Sequence, residues 1–274
     1  MFKALPFAVM ILSCQNLLFA QGTSTLIGAR AAGVGYSSST LSDEWSIFNN
    51  VAGLAKVAAI TAAFTYDAQP TFKHFNKAAA TFVCPVKIGV AGLGLFRFGD
   101  DLYNEQIMAV GYSTSFGLAS LGVKVNLIQY NIQGFGSKSA VTASFGGIAK
   151  LTERLFLGAH VVNINQPKLS SLDDERIPTI LIAGILTQVS DNVSVVAELE
   201  KDLDYKTAIK AGVEYRILKK FFVRTAIRIQ PNAGFFGFGF KPARYSLDYA
   251  FQYSQGGGSR HQASVSYRLD TSKK

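Results

Sequence analysis

Between Tyr245 and Tyr253 every second residue is aromatic or aliphatic: Tyr245, Leu247, Tyr249, Phe251 and Tyr253. Arg244, Ser246, Asp248, Ala250 and Gln252 fill the positions between. Successive side chains of a strand point to opposite faces, so this period of two describes a strand with one face in an apolar medium and the other in a polar one. The period recurs from Tyr205 to Ile217, from Phe221 to Ile229 with Arg224 and Arg228 on the minor face, and from His261 to Leu269. Alternation by itself fits two architectures. One is a sandwich in water with its apolar face inside; the other is a barrel in lipid with its apolar face outside.

The start of the chain and its loops choose between them. Met1-Phe2-Lys3 is a short basic start, Ala4 to Leu12 is apolar, and Leu18-Phe19-Ala20-Gln21 offers a small residue before a cut. Residues 1–20 thus read as a cleaved secretory signal peptide, with an apolar run too short to anchor a chain. Ile11-Leu12-Ser13-Cys14 reads alternatively as a lipoprotein box that would acylate Cys14. Although 49% of the residues are hydrophobic, no later run of 18 or more is apolar, which leaves strands as the spanning structure. With Cys14 removed, Cys84 has no internal disulfide partner. The expected location is the outer membrane of a Gram-negative bacterium.

Turn signals divide the chain into about fourteen strands of outer-membrane length. They are expected at Lys56 to Asp67, Lys77 to Cys84, Lys87 to Phe98, Gln106 to Phe116, Ala119 to Ile132, Ser139 to Lys150 and Leu155 to Asn165. The second half follows at Pro178 to Val189, Val193 to Lys201, Tyr205 to Ile217, Phe221 to Ile229, Gly234 to Lys241, Tyr245 to Tyr253 and Arg260 to Leu269. Every second connection is tight, such as Pro85-Val86, Gly117-Leu118 and Leu218 to Lys220. The others, such as Ala68 to Asn76, Gly99 to Glu105 and Gln166 to Ile177, are longer and more polar. Transmembrane barrels have that parity of short periplasmic turns and longer outer loops; soluble sandwiches have no cause for it. The expected fold is therefore all-β: a transmembrane, antiparallel, up-and-down barrel over residues 56–270, with a short basic tail at 271–274.

Residues 21–55 do not read as a strand. They hold a small, flexible run from Gly28 to Gly35, a polar run from Ser37 to Thr40, and a short helix over Asp43 to Asn49 that carries Trp45. Side chains cannot fill the lumen of so wide a barrel, so this segment is expected to fold inward as a hatch. Gly28-Ala29-Arg30-Ala31-Ala32-Gly33-Val34-Gly35, then Ser42-Asp43-Glu44 and Asn50-Val51-Ala52-Gly53-Leu54-Ala55, resembles the N-terminal signature of the PorV/PorQ family of outer-membrane proteins, relatives of the FadL-like long-chain fatty-acid transporters. The likeness covers about thirty residues. It implies fourteen strands with an N-terminal hatch whose motif residues are Gly28, Ala29, Arg30, Gly33, Gly35, Asp43, Glu44, Asn50, Ala52 and Gly53. Val51 stands where that family has proline, which puts the turn after Asn50 in question. The resemblance also implies two roles: an accessory or shuttle in type IX protein secretion, or FadL-like admission of hydrophobic compounds.

Charge and chemistry narrow the function classes. The balance of 27 basic against 18 acidic residues gives +9, but the basic residues are scattered over strand faces, turns and the tail, which is not a nucleic-acid footprint. His74, His160 and His261 are separated, and no serine elbow, phosphate loop or metal-ligand spacing accompanies them. No enzyme activity, cofactor or metal is expected, with Asp173-Asp174-Glu175 a solvated loop or a weak calcium site. A three-residue turn at Leu218 to Lys220 would place Ile217 against Phe221, Glu214 against Arg224 and Lys210 against Arg228. Lys206, Lys210, Glu214, Arg216, Arg224, Arg228, Arg244, Asp248 and Arg268 are then the expected lumen charges, forming a basic wall that pairs with Asp43 and Glu44 or selects anions. Two stretches, Thr179 to Val189 and Lys87 to Phe98, lack a polar face and either pack on a plug or line an apolar passage. Expected partners are outer-membrane lipid, with secreted proteins or secretion-machinery subunits under the first role and a hydrophobic small molecule under the second. A barrel without transport is the third reading.

Overall fold

The computed structural model describes residues 24–168, 176–203 and 205–269. The expected signal peptide at 1–20 with Cys14, the Asp173-Asp174-Glu175 run and the tail at 271–274 lie outside them. Fourteen antiparallel strands close into one barrel in which each pairs with its sequence neighbours and the last with the first. They are β1 Ile60–Ala68, β2 Lys77–Val86, β3 Gly89–Gly99, β4 Tyr103–Phe116, β5 Ala119–Ile132, β6 Gly136–Lys150 and β7 Leu155–Val162. Then come β8 Ile180–Gln188, β9 Val193–Asp202, β10 Ala208–Leu218, β11 Phe221–Ile229, β12 Ala233–Phe240, β13 Tyr245–Ser254 and β14 Gly258–Leu269.

The period of two is visible in burial. Along β13, Tyr245, Leu247, Tyr249 and Tyr253 are exposed, and Ser246, Asp248, Ala250 and Gln252 are half-buried or buried. Around the ring, Phe64, Leu95, Val110, Val125, Ile185 and Phe238 continue the exposed apolar face, while Thr65, Ser113, Lys124, Lys210 and Arg224 point inward and are buried. A closed sheet satisfies its own backbone and leaves no edge, so an apolar outer belt on such a sheet is the wall of a membrane-spanning barrel. Replacing Leu247 with arginine is accordingly expected to cost about 2–4 kcal/mol at mid-membrane depth. Urea unfolding of the barrel in lipid vesicles measures this; an unchanged midpoint would place that face in water.

The element ends correct the expectations. The first strand begins at Ile60 instead of Lys56, because Val51–Lys56 winds into a 3-10 turn. The second passes through Pro85 to Val86, so the turn is Lys87-Ile88, followed by Gly89 at φ 108°. The seventh stops at Val162 because Asn163 turns left-handed at φ 57° and its side-chain amide donates to Pro178 O at 3.2 Å. The tenth starts at Ala208, which leaves Lys206 in a loop. At the other end of β10 the structure pairs Leu218 with Phe221 and shifts register past Ile217, so the turn is Lys219-Lys220; the pairs Glu214 with Arg224 and Lys210 with Arg228 are those expected. Several long loops also shrink: β4, β6 and β14 extend outward, reducing them to 100–102, 133–135 and 255–257. Length parity is pronounced only at 69–76, 163–179 and 203–207.

The core lies inside the ring. Residues 27–56 form a five-residue helix α1, Ala29–Gly33, a 3-10 turn Glu44–Ile47 and the turn at Val51–Lys56, joined by mostly buried coil. Ile47, Phe48, Val51 and Leu54 pack with Val83, Val90, Phe96, Ile107 and Ile128. Ala29, Ala32, Val34 and Tyr36 pack with Val196, Ala226, Phe235 and Ala250 on the opposite wall. Burial of these apolar side chains drives the segment into the lumen.

Candidate functional site: the lumen and the segment within it

Glycines on the inward faces let the segment come close. A Cβ at Gly122 would sit 2.8 Å from the Val51 backbone, and one at Gly212 would sit 2.9 Å from Val34 O. At Gly146 and Gly158 it would collide with Asn50 Oδ1 and Ser39 O. The inner face of β8, apolar in sequence, carries the buried Ile182 and sets Gly184 against Ser39 of this same segment.

Polar contacts then fix the segment in register. Asn50 is fully buried; its side-chain NH2 donates to Ser39 O at 2.6 Å and Gly147 O at 3.1 Å, and its Oδ1 accepts from Ala52 N at 3.1 Å. That cap starts the turn without the proline which Val51 replaces. Ala52 O accepts from Ser113 Oγ at 3.0 Å, and Gly53 lies so close to Leu41 O and Ser46 Oγ that a side chain there would clash. Ala29 N donates to Ser264 Oγ at 2.8 Å. Gly28, at φ 106°, lies under the Trp45 ring, Gly33 meets Gly237 and Arg224, and Gly35 turns at φ 71° beside Ala226.

The charges form two groups. Arg30 clamps both oxygens of Glu214, at 3.1 and 3.0 Å, and reaches Asp43 at 3.3 Å. Arg224, fully buried, donates Nε to Glu214 at 2.5 Å and Nη1 to Asp248 at 2.7 Å. In the second group Lys210 meets Glu198 at 2.9 Å, Glu200 at 2.5 Å and Tyr36 O at 3.2 Å, while Glu198 accepts from Ser39 N at 2.7 Å. Burial, and then the adjacent Asp43, push the Glu44 carboxyl up; in the outer loop, the Tyr103 backbone N–H holds the Asp100 carboxyl below its usual range. Lys124 is buried with Phe48 O as its acceptor at 3.3 Å.

This arrangement corrects the expected basic wall. Lys210, Glu214, Arg224 and Asp248 do converge inside, but their partners are mostly wall carboxylates, and the cation that reaches Asp43 is the segment's own Arg30. Lys206, Arg244 and Arg268 are exposed at loops and rims, Arg216 binds Asn192 and Asp191 O at a turn, and Arg228 lies over the Phe235 ring at 5.8 Å. Alternation gives the side a residue faces but not its height along a strand. Sequence reasoning missed Lys124, Glu198 and Glu200, although Val123 to Val125 and Ala197 to Lys201 carry the same period.

An aromatic series descends from the long-loop end. Phe72 and Phe75, both exposed, stand 6.0 Å apart by ring centroid, and Phe75 lies 5.7 Å from the buried Phe98. Two residues along the same inner face of β3, Phe96 lies 6.1 Å from Phe48 of the segment. Elsewhere His74 contacts Asp100, His261 meets Tyr249 Oη at 2.6 Å, and His160 is buried without a hydrogen-bond partner. Among the described residues, no group of three His, Cys, Asp or Glu side chains could hold a metal ion.

No family model and no curated protein matches the chain, so the PorV/PorQ resemblance gains no support from either comparison. Solved structures do share the fold. The CymD monoaromatic hydrocarbon channel aligns with TM-score 0.71 at 11% identity, over 92% of this chain and 100% of that one. The Pseudomonas putida toluene transporter TodX aligns with TM-score 0.67 at 14% identity, over 90% and 98%. A Pseudomonas aeruginosa FadL homologue gives 0.64 at 13%, over 90% and 100%. The chain therefore has the FadL-like barrel fold over nearly its whole length.

Proposed function

We propose that this protein is an outer-membrane channel for small hydrophobic molecules of monoaromatic size, closed by residues 24–56 acting as a hatch. The observation that carries the reading is the aromatic series from exposed Phe72 and Phe75 through Phe98 and Phe96 to Phe48, which gives an apolar solute a continuous surface from the outer loops to the hatch. The shared fold with hydrocarbon channels supports it. Trp45, the chain's single tryptophan, is buried in the hatch and reports on it.

Toluene uptake into vesicles holding the purified barrel, read together with Trp45 emission, tests this. Phe75→Ser with Phe98→Ser is expected to slow uptake roughly fivefold, given what each aromatic contact contributes. Unchanged uptake in that variant would sink the reading. The alternative role in protein secretion rests on the Gly28 to Ala55 motif alone. A deletion strain with an altered secreted proteome and normal hydrocarbon uptake would transfer the assignment to it.

A further inference from the structure

Near the long-loop end the strand register sets one row of inward side chains side by side. Gln262 pairs with Asp67, Asp67 with Lys77, Lys77 with Phe98 and Phe98 with Glu105, across β14, β1, β2, β3 and β4. All five are buried. Phe98 belongs to the aromatic series, so a solute resting on that ring has polar groups at its own height. Arg260 joins the row to the series a second time: Nη2 donates to Phe75 O at 2.9 Å, and Nε lies 3.3 Å from Asp67 Oδ1.

Most polar groups of the row are satisfied. Glu105 accepts from Tyr103 Oη at 2.6 Å, Lys77 donates to Ser24 O at 2.7 Å, and Gln262 Oε1 accepts from Tyr36 Oη at 3.1 Å. Neither oxygen of Asp67, nor Gln262 Nε2, has a hydrogen-bond partner among the described residues; the ion pair with Arg260 supplies charge but no hydrogen bond. A buried carboxylate without a donor and a buried amide without an acceptor are both costly, and here they stand on adjacent strands. A hydroxyl answers both, giving its proton to the carboxylate and accepting from the amide. A carboxylate ligand has no proton to give and repels Asp67, whereas an ammonium meets Lys77 and Arg260 as like charges.

We infer that the channel proposed above, on which this step rests, is built to admit monoaromatics that bear a hydroxyl. The ring lies against Phe98 and Phe75, and the hydroxyl donates to Asp67 and accepts from Gln262 Nε2. Phe98 and Asp67 stand two strands apart, about 10 Å between backbones, and both side chains reach inward, so one phenol bridges what remains. A plain hydrocarbon on the same ring leaves both polar groups unanswered.

Uptake of toluene, 3-methylphenol and 3-methoxytoluene into vesicles holding the full chain, each corrected with protein-free vesicles, tests this. The three share a ring and a methyl group, and only 3-methylphenol can donate. In wild type its uptake is expected to half-saturate at about tenfold lower concentration than that of toluene, the scale of a hydrogen bond to a charged group, with 3-methoxytoluene close to toluene. Asp67→Asn and Gln262→Leu are each expected to cut that ratio about threefold. If toluene enters and 3-methylphenol half-saturates no lower, water serves these groups, and the inference is overturned while the channel stands. If no compound enters above the protein-free rate, the channel itself falls and the inference with it. An unchanged ratio in both variants would also overturn it, and the wild-type ratio decides even if neither variant folds.

Discussion

Replacing Arg224 with methionine is expected to destabilise the barrel by about 3–5 kcal/mol, the scale for removing one partner from a buried ion pair. The guanidinium has no solvent exposure and lies between Glu214 and Asp248. Without it, the ion pairs left among the described residues are Glu214 with Arg30 and none for Asp248, which keeps Ser246 Oγ at 2.8 Å. Adding Asp248→Asn to Arg224→Met removes the orphaned charge and should restore part of the loss, so the two changes will not add. Urea unfolding in vesicles reads both. A midpoint unmoved by Arg224→Met would mean that water, and not protein, solvates these carboxylates.

Gly146→Val with Gly158→Val should separate the N-terminal segment from the barrel. Valine suits a strand better than glycine does, so the ring is expected to close. The new side chains would occupy the positions of Asn50 Oδ1 and Ser39 O, so the segment has no seat on β6 and β7. A ring of this size is wider than its lining side chains can fill. Planar-bilayer recordings are therefore expected to change from closed in wild type to large open conductance steps in the variant. If the variant folds and stays closed, the segment is not what occludes the lumen.

All fourteen strands are legible in the sequence wherever lipid imposes a contrast between faces, as it does from Tyr245 to Tyr253. Where the strands continue past the lipid the contrast disappears. Asn104 pairs with Asn131 and Glu105 with Tyr130 above the apolar belt, so the sequence there resembles a loop although the ladder continues. The register of β10 against β11 was legible at Glu214 and Arg224 even with the turn misplaced, because the irregularity at Ile217 absorbs the difference. The charge network was not, because Arg30 and Glu214 are 184 residues apart and nothing local joins them. Asn50 shows the reverse case: a missing proline looks like a defect until the side chain is seen to cap the turn itself.

The inward glycines give the two halves of this contact unequal tolerance to mutation. At Gly158, Gly212 and Gly122 the nearest segment atoms are the carbonyls of Ser39 and Val34 and the backbone at Val51 to Ala52. Every residue type carries those atoms, so Ser39→Ala leaves the seat intact. The wall cannot add even one methyl group at the three facing positions. In a library covering every position, the instructions for seating the N-terminal segment would therefore be found mainly in strands far along the chain, as sites that accept glycine alone.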